Sequence, residues 1–184
     1  MTIMSKNFNK YFKKQEEEKN LISNKLEYLE TFKKEYDNER IKKQSLETRA
    51  GLIVTLLGGI FIFLINDLKI FKNLSIIFET GTSLEKYLKF FISLSITLFL
   101  ILTFYELVNI LNINEYAAFY VEDNIDYTLN YSDTLDDLLL SYKEIIIIHR
   151  KINSRNAYSF SKAINYLVFL FIFIIIFLIM KGGK

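Results

Sequence analysis

A chain of 184 residues that is 51% hydrophobic and 24% charged has an ordinary overall balance, but the two kinds are segregated into separate blocks. A formal net charge of +2 gives no global basic field for nucleic acid, and the absence of cysteine excludes a disulfide framework, a thiol nucleophile and a thiolate metal site. Proline is also absent and only six glycines occur, so little interrupts a helical pattern and an all-α chain is expected.

Residues 5–49 carry 12 Lys+Arg and 9 Asp+Glu without Gly or Pro, which predicts a long charged helix, or two stacked ones, over residues 1–49. Ile22, Leu26, Leu29, Phe32 and Tyr36 recur at helical spacing before thinning to Ile41 and Leu46. So narrow a seam predicts packing on a partner helix, read as a copy of itself in a coiled coil; a solvated lone helix or a partly disordered arm is the alternative. The first apolar block lies behind this charged segment, which is not the layout of a cleavable signal peptide, and no processing is expected.

Residues 50–66 are free of charge and form the first predicted membrane span, with no breaker between them and the charged helix. Gly58 and Gly59 at mid-depth either admit a closely packed neighbouring helix or are ordinary span glycines. Residues 67–89 are too polar to cross. Within them Ile70, Phe71, Leu74, Ile77 and Phe78, flanked by Lys69 and Lys72, predict a short helix on the membrane surface, with Gly81 marking the turn back.

The second predicted span, residues 90–111, is the most polar of the three. Thr103, Glu106, Asn109 and Asn112 recur every three residues and share one helical face. In an oligomer that face would line a pore with Glu106 as a ring at its mouth; alternatively Glu106 marks the interface and the small hydroxyls pack helices.

Residues 112–162 predict a helical hairpin. Its first half is acidic, from Glu115 to Asp137, and its second half is basic, from Lys143 to Lys162. Ser132 with Asp133 marks a helix start, after which Leu135, Leu138, Leu139, Tyr142, Ile145, Ile146 and His149 would form one buried face. The hairpin is expected to pack on the N-terminal helix, acidic against basic. Its second arm runs into the third predicted span, residues 163–180, AINYLVFLFIFIIIFLIM, closed by Lys162 and Lys181. A hydrocarbon core of roughly 30 Å needs about 20 apolar residues, and flanking lysines snorkel over the last turn.

Eight Lys and Arg residues flank the spans on the side of the two large polar segments and six on the other, so both segments are expected in the cytoplasm. The loop 67–89 and the KGGK tail would then lie outside.

No nucleotide-binding glycine motif, zinc-protease motif or nucleophile elbow occurs, and a single histidine, His149, leaves little for metal or acid–base chemistry. The acidic run lacks the ligand spacing of a calcium loop. No enzyme activity, cofactor or metal is expected. A multiply charged phosphate ligand would need convergent cations, for which the candidates are Arg40, Lys42 and Lys43 with His149, Arg150, Lys151 and Arg155; anchoring by positive charge on the inner face is the other reading of each.

The junction Glu47-Thr48-Arg49-Ala50-Gly51, where the charged helix enters the first span, and the entry Ser161-Lys162-Ala163-Ile164 into the third are similar to small membrane effectors of bacterial antiphage defence. The likeness covers the whole chain as architecture. Those families, in CBASS, Pycsar and Hailong-type systems, pair a nucleotide-sensing cytoplasmic part with spans that permeabilise the inner membrane. The resemblance implies a homo-oligomeric channel or pore, a tetramer being favoured. It would lie in the bacterial plasma membrane with its N-terminus cytoplasmic, gated by a cyclic nucleotide or oligonucleotide from a partner nucleotidyltransferase. A non-conducting membrane scaffold that recruits a soluble partner through the N-terminal helix, and a holin-like lesion former, are the competing expectations.

Overall fold

A computed structural model describes the backbone of residues 2–70, 84–112 and 130–182 and the side chains of residues 13–70, 84–112 and 130–181. The expected surface helix beyond Ile70, the turn at Gly81, the acidic residues Glu115, Glu122, Asp123 and Asp126, and the first arm of the hairpin lie outside the described residues. Three helices make up the described chain: α1 (Thr2–Asn66), α2 (Leu84–Leu111) and α3 (Tyr131–Gly182). As expected, α1 does not break between its charged and apolar halves. α3 starts where the carbonyl of Asn130 accepts bonds from the backbone N–H groups of Asp133 and Thr134, both at 3.0 Å.

The chain divides into two compact units, one of Met1–Lys42 with Glu115–Asn153 and one of Lys43–Asn114 with Ser154–Lys184. In the first unit α1 and α3 pack side by side and run parallel. Lys25 Nζ meets Ser132 Oγ at 2.8 Å and Asp136 Oδ2 at 2.6 Å, and further along both helices Glu35 and Glu39 meet Arg150 and Asn153.

The residues of α1 that lose solvent there include Ile22, Lys25, Leu29, Phe32, Tyr36 and Glu39, spaced alternately by three and four, with Glu35 half-buried beside Tyr36. On α3 they include Leu135, Leu139, Tyr142, Ile146, His149 and Asn153, in the same rhythm. The alternation of three and four keeps these residues on one face of each helix. It corrects the sequence reading at two points. Leu26 and Ile41 are 40% and 63% exposed, while Lys25 enters the seam because Asp136 and Ser132 receive its amine and its stem can be covered. The helix that covers this face in the first unit is α3 of the same chain. The predicted buried face of α3 and the packing of acidic against basic residues are both present.

The second unit is an up-down-up bundle of three helices. Lys181 Nζ at the end of α3 donates to the carbonyl of Asp67 just beyond α1 at 2.8 Å, so those two end together. α2 runs the other way: Phe99 stacks on Phe169 and Phe173 with ring centres 5.4 and 5.6 Å apart, and Glu106 near its end meets Lys162. Ala50, Leu57, Leu64, Ile92, Ile96, Leu107, Ile110, Ala163, Leu170, Ile174 and Phe177 form the core.

The outside of this bundle is apolar as well, with Leu52, Ile62, Phe91, Ile101, Phe104, Val168, Ile175 and Ile179 all exposed. A surface that is hydrophobic all round is suited to lipid rather than water. All three helices are long and apolar enough to cross a membrane. A Cβ at Gly58 or Gly59 would meet nothing within 4 Å, so none of the described helices uses them for close approach.

Candidate functional site

Polar side chains gather in two places, one in each unit. In the second unit the gathering lies at the end of the bundle where α2 finishes. Hydroxyls along α2 are first satisfied by their own helix: Ser95, Thr97 and Thr103 donate to the carbonyls of Phe91, Ser93 and Phe99 at 3.0, 2.9 and 2.7 Å. Ser93 is wholly buried and its Oγ has no partner among the described residues.

The four residues expected to line a pore divide between two roles. Thr103 and Glu106 are turned into the bundle, with Glu106 Oε1 3.5 Å from Lys162 Nζ. Lys162 Nζ also lies 4.6 Å from the centre of the Tyr158 ring. Asn109 is half-buried and Asn112 exposed. Together with Arg155, Asn156 and Ser159 they line a polar cleft of about 270 Å³. The cleft thus joins one residue of the expected ligand set to two of the expected pore set.

The gathering in the first unit is centred on Glu39, which is 3% exposed. Asn153 Nδ2 donates both to the backbone carbonyl of Glu39 at 2.9 Å and to its Oε2 at 2.7 Å. Lys42 Nζ donates to Oε1 at 2.7 Å, and Arg150 Nε lies 3.9 Å from the same oxygen while its Nη2 pairs with Glu35. One turn earlier the Tyr36 ring stacks on buried His149 at 5.2 Å and meets Tyr142 edge-on at 5.8 Å. Burial raises the Tyr142 hydroxyl above its ordinary pKa, helped by Tyr36 and Asp37.

Burial pushes the Glu39 carboxyl upward, but the hydrogen bonds from Lys42 and Asn153 and the charges of Lys42 and Arg150 outweigh it and hold the pKa below its ordinary value. The stability this contributes is fully present above the ordinary carboxylate range, about 4.3 for Glu. It is lost as pH falls through the lowered folded value. Thermal melts of the purified protein are therefore expected to weaken on acidification below about pH 4, and Glu39→Gln to remove that part of the pH dependence.

Of the remaining expected ligand cations, one lies beside this gathering and two do not join it. Arg40 is exposed, with its guanidinium 5.8 Å from the Tyr36 ring centre. Lys43 belongs to the second unit and pairs with Glu47 at 3.5 Å. Lys151 is exposed. Arg40, Lys42, His149 and Arg150 therefore collect around the Tyr36–Glu39 turn, where Glu35 and Glu39 engage Lys42 and Arg150. Among the described residues no group of three or more His, Asp or Glu is placed to hold a metal ion.

Sequence reasoning missed Glu39 and Asn153 in the first unit and Asn156 and Ser159 in the second. Glu39, Asn153 and Asn156 all fall on the buried face of their helices, so following the three-four rhythm through polar residues would have found them. The described chain is an all-α protein whose three helices are each able to cross a membrane. No protein-family model, curated protein or solved structure matches it.

Proposed function

We propose that the protein is a plasma-membrane effector that assembles into an oligomeric ion channel, with its N-terminus in the cytoplasm and its polar helices as the regulatory part. The observation that carries this reading is the polar patch at one end of an otherwise apolar bundle: the Glu106–Lys162 pair beside the cleft of Asn109, Asn112 and Arg155. Ionisable groups at membrane depth are costly against lipid and mark ion or substrate pathways by default. The up-down-up order of the bundle and the excess of Lys and Arg flanking residues 1–49 and 112–162 support one compartment for both segments.

In the closed state Lys162 neutralises Glu106 inside each chain. Opening turns α2 so that Glu106 leaves Lys162 and faces the equivalent residue of other copies across a water-filled path. A phosphate-bearing ligand, as in the defence effectors the chain resembles, would compete with Glu35 and Glu39 for Arg150 and Lys42 and so loosen the first unit.

The test is ion flux through liposomes containing the full-length protein. Wild-type protein is expected to conduct, and Glu106→Gln to reduce the preference for cations over anions; unchanged selectivity removes Glu106 from the path. A second reading, a non-conducting scaffold that recruits a soluble partner through α1, is favoured by the internal engagement of Thr103 and Glu106, which leaves largely apolar faces on the outside of the bundle. Single-channel recordings that stay silent at every ligand concentration would select the scaffold.

A further inference from the structure

We infer that the cleft between the end of α2 and the start of the third span is a binding site for a single phosphate group, with the Arg155 guanidinium as its anchor. This rests on the membrane-embedded reading above and names the chemistry that its polar patch recognises. The lining is Asn109, Asn112, Arg155, Asn156 and Ser159. Its described residues supply one cation, three carboxamides and one hydroxyl, and no carboxylate.

Six of the described cations are matched by acids: Lys25 by Asp136, Lys42 by Glu39, Lys43 by Glu47, Lys89 by Glu85, Arg150 by Glu35 and Lys162 by Glu106; Arg155 belongs to the others, and it is the cation that lines this cleft. Arg155 is in no ion pair among the described residues, so its charge is available to a ligand. A guanidinium presents paired N–H donors that match two phosphate oxygens, and the neighbouring amides and hydroxyl supply further donors without adding charge. Asn156, 3% exposed, fixes one wall, because a buried amide cannot swing out to solvent.

Size and position narrow the ligand. A volume of about 270 Å³ falls just below the roughly 300–1,000 Å³ of sites for drug-sized molecules, which suits one phosphate with a small substituent. Arg155 lies about 10 Å along the helix from Lys162, in the polar zone beside the hydrocarbon. Both the phosphate of an anionic lipid headgroup and that of a dissolved phosphoester reach this zone. Lys151, one turn earlier on α3, is exposed but does not line the cleft.

The experiment uses the full-length protein in detergent. Binding of phosphatidic acid, with phosphatidylcholine as reference, is followed by native mass spectrometry, and binding of inorganic pyrophosphate by equilibrium dialysis. Wild-type protein is expected to bind at least one of the two phosphate probes. Arg155→Gln should weaken that binding about tenfold, the loss of a charge-assisted bond, and Asn112→Asp, which sets a carboxylate in the cleft, should weaken it too. Lys151→Gln should change it less than about twofold.

Binding of phosphatidic acid alone identifies a lipid headgroup, and binding of pyrophosphate alone identifies a phosphate group delivered from solution. No binding of either probe, an unchanged affinity in Arg155→Gln, or an equal loss in Lys151→Gln overturns the site. Conductance is read separately: silent recordings with Arg155-dependent binding would reject the channel and keep the site.

Discussion

Replacement of Lys162 by methionine is expected to destabilise the three-helix bundle, and by more than replacement of Glu106 by glutamine, because it leaves the buried Glu106 carboxylate without its cation. The asymmetry between the partners sets that expectation. The Glu106 side chain is 11% exposed and that of Lys162 is 38% exposed. Without Lys162 the carboxylate is left buried beside Leu107 and Ile110, whereas without Glu106 the amine can turn to the interface and keep its place over the Tyr158 ring. Glu106→Gln should therefore cost only about 1 kcal/mol, and the double variant Glu106→Gln/Lys162→Met should recover most of the loss seen in Lys162→Met alone. Unfolding of the detergent-solubilised protein in a denaturing-detergent titration measures all three. Equal losses in the two single variants would show that the pair is solvated and does not fasten α2 to α3.

The second large effect is expected in the first unit. Asn153→Ala removes both bonds to Glu39 and should cost about 2 kcal/mol, the penalty for leaving a buried polar group without its partner. Glu39→Leu should cost less, because the Asn153 amide loses the carboxylate but keeps the backbone carbonyl of residue 39 as an acceptor, while Lys42 and Arg150, whose side chains are 63% and 52% exposed, regain water. Glu39→Leu/Asn153→Leu should come close to the stability of the wild type or exceed it, since an apolar layer replaces a buried polar one. A polar layer between packed helices fixes which residues stand opposite each other. The double variant should accordingly lose selectivity for the Tyr36–His149 pairing, measured by cross-linking of cysteines at those positions. Additive losses in the double variant would contradict a coupled pair.

The three long apolar helices were legible because residues 50–66, 90–105 and 163–180 carry no charge and no proline, and each run is longer than a strand. The buried face of α3 was legible for a related reason, since Leu135, Ile146 and their neighbours are apolar at helical spacing. The seam of α1 was misread at Lys25 and Leu26. Nothing near Lys25 in the chain tells that Asp136 and Ser132 will receive its amine, so the nearest apolar residue was chosen instead. The rhythm of Glu39 and Asn153 was readable along each helix, but that they bond to each other, 114 residues apart, was not.

The polar face of α2 was half legible. A three-residue spacing put Thr103, Glu106, Asn109 and Asn112 on one side of a helix, but it carried no information on what that side meets. The bundle places Lys162 against Glu106 and Arg155 in a cleft with Asn109 and Asn112. Function was less legible than fold, because a channel and a scaffold can share every one of these helices and differ only in whether Glu106 ever leaves Lys162.

The natural absence of cysteine allows the arrangement in the membrane to be read directly. Single cysteines at Asn20, Asn130 and Tyr87 would be exposed to a membrane-impermeant maleimide in intact cells and again after lysis. The account predicts labelling of position 87 in intact cells and labelling of positions 20 and 130 only after lysis. Labelling of 20 and 130 from opposite sides, or recovery of the protein in solution without detergent, would contradict it.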